Sequence, residues 1–193
     1  MSSALGLERP VRSFVALPCP AGLRRALSSA LPAWKRLDAD VAWANPDTAH
    51  LTLRFLGDAD PARLDALHAR LPAVAGSVAG IRARPGATGA FPGWGRPRVL
   101  WLGIESAGEI ERLAAGVEAA ARAAGFDPEA RPFTPHLTLG RVRGARGARR
   151  AAVAVRGWVP DGTPEPIPEV VLYRSELGTG RARHVALARY PLS

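Results

Sequence analysis

Two short stretches of the chain alternate polar and apolar residues in the same order. They are the tetrads His50-Leu51-Thr52-Leu53 and His136-Leu137-Thr138-Leu139, one in each half of the sequence. A period of two indicates a half-buried strand, on which side chains two residues apart share a face. In each tetrad the leucines therefore point into a core, while the histidine and the threonine lie side by side on the opposite face.

The hydrophobic pattern around the tetrads predicts the same order of elements twice. A strand at 12–17 and a helix at about 21–34 precede the first tetrad strand, 50–56. A strand at 99–104 and a helix at about 109–124 precede the second, and each helix has apolar residues along one side. This repetition predicts an α+β fold of two lobes related by a pseudo-twofold axis, with mainly antiparallel sheet and helices on the outside. Such an axis would bring the two histidine faces together across a cleft.

The other elements follow weaker patterns. Before the second lobe we predict an extended segment at 41–43, a turn at 45–47, a helix with the apolar stripe Leu64, Leu67 and Leu71, a strand near 80–84 and a loop at 90–95. After the second tetrad we predict a flexible basic loop at 144–150, strands near 152–155, 170–176 and 184–190, and a proline-rich turn at 160–168. The basic loop is interpreted as solvated rather than as an RNA-binding arm.

Length and composition set outer limits. With 193 residues the chain fits one domain, 1–193, and no segment approaches the ~20 apolar residues that span a bilayer. The first ten residues contain no apolar stretch typical of a secretory signal. Cys19 is the only cysteine, which excludes an internal disulfide and any multi-cysteine metal site, so we expect a cytoplasmic protein. The net charge is +9 with Lys35 as the only lysine, and this excess of base favours a polyanionic partner.

The duplicated tetrads carry the candidate chemistry. Only four histidines occur in the chain, and His50 and His136 occupy identical positions in the two tetrads. Two imidazoles that face each other can act as general acid and general base near neutral pH. The neighbouring hydroxyls of Thr52 and Thr138 can donate hydrogen bonds to phosphate oxygens. Hydrolysis of a phosphodiester is the reaction that these residues suit best, and a cyclic phosphate is a suitable substrate because its internal ester breaks without an external leaving group.

Arg141 is a candidate phosphate-binding cation, and other kinds of catalytic site lack support in the sequence. On an ideal strand Arg141, five residues after His136, would point to the opposite face, but a bulge near Gly140 would let it reach the site. Neither histidine has a His, Cys or carboxylate at i+2 or i+4, so no metal is expected. The sequence also contains no Gly-x-Ser-x-Gly elbow for a Ser-His-Asp triad and no P-loop.

These motifs resemble those of a known family. Residues 50–57, HLTLRFLG, and 131–139, RPFTPHLTL, are similar to the paired motifs of the two-histidine (2H) phosphoesterases, and within them to the bacterial and archaeal RNA 2′,3′-cyclic phosphodiesterases, also called 2′-5′ RNA ligases. The resemblance extends to 14–18 in the opening strand, 97–103 in the middle strand and 172–175 in the late strand.

The resemblance implies a bilobal fold with the active site between the lobes, and hydrolysis of a terminal 2′,3′-cyclic phosphate to a 2′-phosphate. It implies that His50 protonates the departing 3′-oxygen and that His136 activates water. Thr52, Thr138 and Arg141 would bind the phosphate. No cofactor is expected. The expected partner is RNA with a 2′,3′-cyclic phosphate end, or a related nucleotide. We expect a monomer that does not bind a membrane.

Three alternatives remain open from the sequence. The first is an RNA-binding module of the same fold without catalysis, against which the intact His and Thr pairs argue. The second is a 2′-5′ RNA ligase, the reverse reaction, and the third is a phosphodiesterase for a small cyclic nucleotide. The other histidines are given structural roles. His68 lies at the surface or boundary of a helix. His184, where relatives often carry an aromatic residue, lies in a C-terminal strand, with lining of the cleft as its alternative role.

Overall fold

A computed structural model describes residues 3–176 and 183–192. In chain order its elements are β1 Val11–Pro18, α1 Ala21–Lys35, β2 Val41–Trp43, a 3-10 helix Pro46–Thr48, β3 His50–Ala59, α2 Pro61–His68, α3 Leu71–Gly76, β4 Ile81–Phe91, β5 Val99–Glu105, α4 Glu109–Ala123, β6 His136–Val142, α5 Ala148–Arg156, β7 Glu165–Ile167, β8 Glu169–Glu176 and β9 Arg183–Pro191.

The sheet is antiparallel and has a symmetric strand order. The order is β7-β4-β5-β6-β3-β1-β8-β9, and the short strand β2 also pairs with β6. The two tetrad strands, β3 and β6, lie next to each other in the middle and pair at Leu51 and Leu137. On either side of this junction the order of strands is equivalent: β5 flanks β6 as β1 flanks β3, and β4 lies beyond β5 as β8 lies beyond β1. The predicted α+β fold with its repeated halves is confirmed.

The two long helices begin and end close to the predicted residues. In α1, Leu23, Leu27, Leu31 and Trp34 are buried at helical spacing, as the sequence pattern predicts. In α4, two glutamates in the first turn interact favourably with the positive end of the helix dipole. Gly125, with φ of 87°, follows the helix at its other end. This helix packs against α3 and β3 and covers the core under the first tetrad strand.

The prediction of a strand at 152–155 is wrong, because the chain there forms α5. Gly147, with φ of 66°, precedes the helix, which also takes in the end of the predicted flexible loop. Ala151, Ala152 and Val155 are buried against β4 and β5, at the spacing of one helix face, while Val153 points to solvent. The alternating alanines and valines look like a strand locally, but contact with the sheet selects the helix.

Other differences concern boundaries. The stripe Leu64, Leu67 and Leu71 belongs to two short helices, since α2 ends at His68 and Leu71 begins α3. Strand β4 extends to Phe91, so it is longer than the strand predicted near 80–84 and includes the start of the loop predicted at 90–95. A register shift between Pro85 and Thr88 accommodates Pro85 and Gly86. Strand β3 continues past Gly57, which has φ of 69°, and the proline-rich segment contains the short strand β7.

Candidate active site

Both predicted catalytic imidazoles are held in the same way. The Nδ1 atom of His50 lies 2.8 Å from the carbonyl oxygen of Thr48, and that of His136 lies 2.7 Å from the carbonyl oxygen of Thr134. A carbonyl can only accept, so each Nδ1 carries hydrogen and donates it. In the neutral form of each ring the Nε2 atom is then left with its lone pair, which is available for proton transfer.

Local sequence explains these contacts. The 3-10 helix that ends at Thr48 is capped by Asn45, whose side chain accepts from the backbone N–H of Asp47 at 3.2 Å. Before the second tetrad, the carbonyl of Pro135 accepts from the N–H of Ile104 at 3.1 Å and ties the approach to β5. The accepting carbonyl is therefore fixed two residues before the histidine in both halves.

The central strand junction brings the two tetrads to one face. Because Leu51 and Leu137 are antiparallel partners and are both buried, the residues that flank them point to the opposite side. Antiparallel geometry around this pair sets His50 beside Thr138 and Thr52 beside His136. Both threonines are half-buried, and within the described residues neither hydroxyl has a hydrogen-bond partner.

A bulge in β6 turns Arg141 to the histidine face. Along β5 the partners step from Thr138 to Gly140, so Leu139 is an extra residue in the ladder. Leu139 and Gly140 are consecutively buried, and Arg141 emerges on the exposed side. A strand without the bulge would have directed this guanidinium into the core.

The first tetrad has a bulge at the equivalent leucine. Along β1 the partners of β3 step from Thr52 to Arg54, which leaves Leu53 as the extra residue. Arg54 is buried, with an exposed fraction of 9%, and Phe55, the counterpart of Arg141, is 40% exposed beneath the Arg12 guanidinium at 4.5 Å. The two halves therefore share a backbone distortion but present different side chains beside their histidines.

The buried Arg54 joins the first tetrad strand to the segment that leads into the second. Its Nε atom lies 2.6 Å from a carboxylate oxygen of Glu118 in α4, and its Nη1 atom lies 3.1 Å from Glu129. It also donates to the carbonyls of Phe55 and Asp127. Such a network, in which the buried charge is paired, fixes the relative position of the two histidine strands.

Rings enclose His50, and only His184 among them is predicted from the sequence, as an alternative to a structural role. Phe14 stacks on the imidazole with centroids 4.7 Å apart, and Tyr173 lies 6.2 Å away on the next strand. His184 meets the imidazole edge-on at 5.2 Å, so this residue, predicted to be structural, lines the site. Aromatic residues at the outward positions of β1 and β8 were the available signal, but it becomes useful only once the strand order is known.

A second pair of rings flanks His136. Phe91 lies edge-on at 5.2 Å and Trp101 at 6.0 Å, and these two rings stack on each other at 5.1 Å. The Trp101 ring lies directly over Gly89, where an added Cβ would come 2.0 Å from its Cζ2 atom. Gly89 is therefore required for Trp101 to lie flat beside the histidine.

Burial lowers the pKa of both catalytic candidates. It lowers the pKa of His50 to about 4, against the effect of the Thr48 hydrogen bond, and the charges of His184, Arg141 and His136 lower it further. Burial also lowers the pKa of His136, again opposed by its backbone hydrogen bond and reinforced by Arg141. The Arg141 charge thus acts on both imidazoles, as expected of a cation that lies near both.

The donor set is suited to an anion. Two imidazoles, two hydroxyls and one guanidinium can surround a phosphate with hydrogen bonds. Because the pKa values of both imidazoles are lowered, a bound anion would favour their protonation. No group of three or more histidine, cysteine, aspartate or glutamate side chains within 3–176 and 183–192 could hold a metal ion. No helix in the same two stretches is long and apolar enough to cross a membrane.

The chain is similar to a set of known proteins. Residues 23–177 match the family model of the 2′-5′ RNA ligase superfamily. The RNA 2′,3′-cyclic phosphodiesterase of Methanothermobacter thermautotrophicus is 32% identical, with 95% of this chain and 91% of that protein covered. That of Geobacillus stearothermophilus is 28% identical over 93% of this chain, which spans only 56% of its length.

Solved structures show the same architecture. The crystal structure of TT0787 of Thermus thermophilus is 30% identical and has a TM-score of 0.78, with 94% of this chain and 97% of that chain covered. The crystal structure of Escherichia coli LigT complexed with 3′-AMP is 27% identical and has a TM-score of 0.71, with 96% and 99% covered.

Proposed function

Because the chain belongs to the 2′-5′ RNA ligase superfamily, we propose that it is an RNA 2′,3′-cyclic phosphodiesterase that opens a terminal cyclic phosphate to a 2′-phosphate. The observation that carries the proposal is the duplicated imidazole arrangement. Each histidine donates its Nδ1–H to a backbone carbonyl two residues before it, which leaves both Nε2 atoms available for proton transfer, with Arg141 near both rings.

The proposed reaction uses the two histidines as acid and base. The Nε2 atom of neutral His136 takes a proton from water, whose oxygen attacks the phosphorus. The bond between phosphorus and the 3′-oxygen breaks, and protonated His50 gives its Nε2 proton to that oxygen. The product is a 2′-phosphate with a free 3′-hydroxyl, and the histidines return to their starting forms by exchange with solvent.

The remaining predicted residues bind the phosphate in this proposal. The hydroxyls of Thr52 and Thr138 donate to the non-bridging oxygens, and their lack of other partners in the described structure supports this role. Arg141 stabilises the negative charge that accumulates in the transition state. The low pKa of His50 makes its protonated form a strong acid, and the substrate anion supplies the charge that holds the proton there until it is transferred.

The proposed reaction needs neither a metal nor a cofactor. The test is incubation of a 2′,3′-cyclic-phosphate oligonucleotide with the enzyme in EDTA, followed by identification of the phosphate position. We expect full turnover and a 2′-phosphate. A 3′-phosphate product would contradict the assigned acid, and activity that is lost in EDTA and restored by a divalent ion would contradict the metal-free reaction.

The wider assignment rests on the same proposal. The chain acts as one domain, 1–193, for which its length is the support, and in the cytoplasm, for which its single cysteine is the support. We propose a monomer as part of the same assignment. Its substrate is RNA or a related nucleotide. Structures of Escherichia coli LigT with 3′-AMP, NADP+ and ATP support nucleotide binding by this fold.

A further inference from the structure

A wide basic depression lies at the end of the second tetrad strand, outside the set of catalytic candidates. It has a volume of about 700 Å³ and is lined by Trp94 and by four arginines, Arg96, Arg98, Arg143 and Arg149. We call it the arginine groove. Its walls come from the loop between β4 and β5, from the end of β6 and from the start of α5.

The charge of the arginine groove is not neutralised by the protein. All four arginines are exposed, and none forms an ion pair or a side-chain hydrogen bond in the part of the chain that is described. The carboxylate of Asp40 lies against Gly144 at the rim, but among the described residues it forms no ion pair with these four arginines. Four cations that converge on one open depression repel one another, and a polyanion in the depression would relieve that repulsion.

Neighbouring arginines are used differently. Arg146 donates to Asp38 at 2.7 Å, and Arg150 lies 3.9 Å from the same carboxylate and donates to the carbonyl of Leu37 at 3.1 Å. These two arginines fasten the segment that enters α5, and the first turn of that helix, to the segment that follows α1. The basic segment predicted as one solvated loop is therefore divided into arginines with a structural partner and arginines that face the groove.

The arginine groove is next to the active site along two segments of the chain. Arg143 comes two residues after Arg141, a distance of about 7 Å along an extended chain. The N–H of Val142 donates to the carbonyl of Arg98 at 2.9 Å, which holds the two walls together at this point. On the other wall the loop that begins with Phe91, the ring beside His136, continues into Trp94 of the groove.

We propose that the arginine groove binds the phosphodiester backbone of the RNA strand that leads to the terminal cyclic phosphate. The inference rests on the proposed function, since it requires the end of the strand to lie between His50 and His136. A basic groove with an aromatic wall is the usual means of holding a single strand without reading its sequence. The enzyme therefore prefers oligonucleotides over cyclic mononucleotides, and the preference is sensitive to salt.

The test compares two double variants on two substrates. In Arg98→Gln/Arg143→Gln, kcat/KM for a short single-stranded RNA with a 2′,3′-cyclic phosphate should fall by on the order of tenfold at low salt, and its dependence on log salt should flatten by about 0.7 per lost contact. For 2′,3′-cyclic AMP, which does not reach the groove, kcat/KM should stay within about twofold of the wild-type value. This result would also show that the variant is folded. The matched control, Arg146→Gln/Arg150→Gln, removes the same charge from the same region and should leave the preference for the oligonucleotide unchanged.

The outcomes separate the inference from the proposed function. If the wild type opens neither the oligonucleotide nor 2′,3′-cyclic AMP, the proposed function fails. If it opens both substrates with equal kcat/KM, or if the groove variant keeps the full preference, the groove does not bind RNA. An equal loss in the control variant would assign the effect to net charge and would also overturn the inference.

Discussion

The lowered histidine pKa values predict an unusual pH dependence. At pH 7 a histidine with a pKa of about 4 is protonated in roughly 0.1% of molecules, against about a quarter for an ordinary pKa of 6.5. The productive free enzyme has one proton on the pair, and this proton is lost on the basic limb of kcat/KM. Because the pKa values of His50 and His136 are both lowered, that limb should lie below pH 6.5, and kcat/KM should fall about tenfold per pH unit above it.

Substrate should move this limb. An anionic phosphate about 4 Å from a protonated imidazole contributes ~4 kcal/mol at an effective dielectric constant of 20. At 1.36 kcal/mol per pKa unit this raises the pKa by about three units, from about 4 to roughly neutral for His50. The profile of kcat, which reports the bound complex, should therefore have its basic limb at a higher pH than the profile of kcat/KM.

The assay is the initial rate with 2′,3′-cyclic AMP at constant ionic strength over roughly pH 4.5 to 8.5, with kcat and kcat/KM extracted separately. The phosphodiester stays an anion over this range, so the limbs belong to the enzyme. Titration of the imidazole proton signals of the free enzyme by NMR gives the free-enzyme pKa values independently. Coincident basic limbs at or above pH 6.5 would refute the reasoning, because burial would then not lower the two pKa values.

Three further predictions concern single side chains. His50→Ala and His136→Ala should each lower kcat by about 10²-fold or more, and the double variant should be little worse, since acid and base act in one transition state; multiplying losses in single-turnover assays would contradict this. Arg141→Ala should raise KM and move the basic limb of kcat/KM to higher pH, since this charge lowers both histidine pKa values; an unchanged profile and KM would remove it from the site. Arg54→Met should lower the free energy of unfolding by about 3 kcal/mol in urea denaturation, because Glu118 loses its buried partner, whereas a neutral change would mean that the network contributes no stability.

The sequence predicts the parts of this molecule that depend on local periodicity. The alternation in the tetrads is enough to place His50 and Thr52 on one face, and the leucine spacing in α1 is enough to place that helix. The strand prediction at 152–155 fails because this short run of alanine and valine has no strong local preference. Packing on β4 and β5 decides that it forms helix α5.

The rest of the site depends on contacts between distant segments. The bulges at Leu53 and Leu139 are set by pairing with β1 and β5. Because side chains alternate between the two faces of a strand, the extra residue in β6 decides whether Arg141 faces the site or the core. The contact of His184 with His50 requires β8 and β9 to return beside β1, which no local pattern reveals.

The strand order also has a consequence for biosynthesis. One half of the sheet, β4 to β7, comes from a continuous stretch of chain, 81–167, and its strands pair with one another without any strand that follows them in the sequence. The other half joins β1 and β3 to β8 and β9, so β1 exposes an unpaired edge until β8 has been synthesised and has paired with it. The aromatic surroundings of His136 therefore come from chain that is synthesised before β8 and β9, whereas those of His50 include Tyr173 and His184 of these two strands. Until β8 has paired, the nascent chain carries an open strand edge that a chaperone or a second nascent copy can reach.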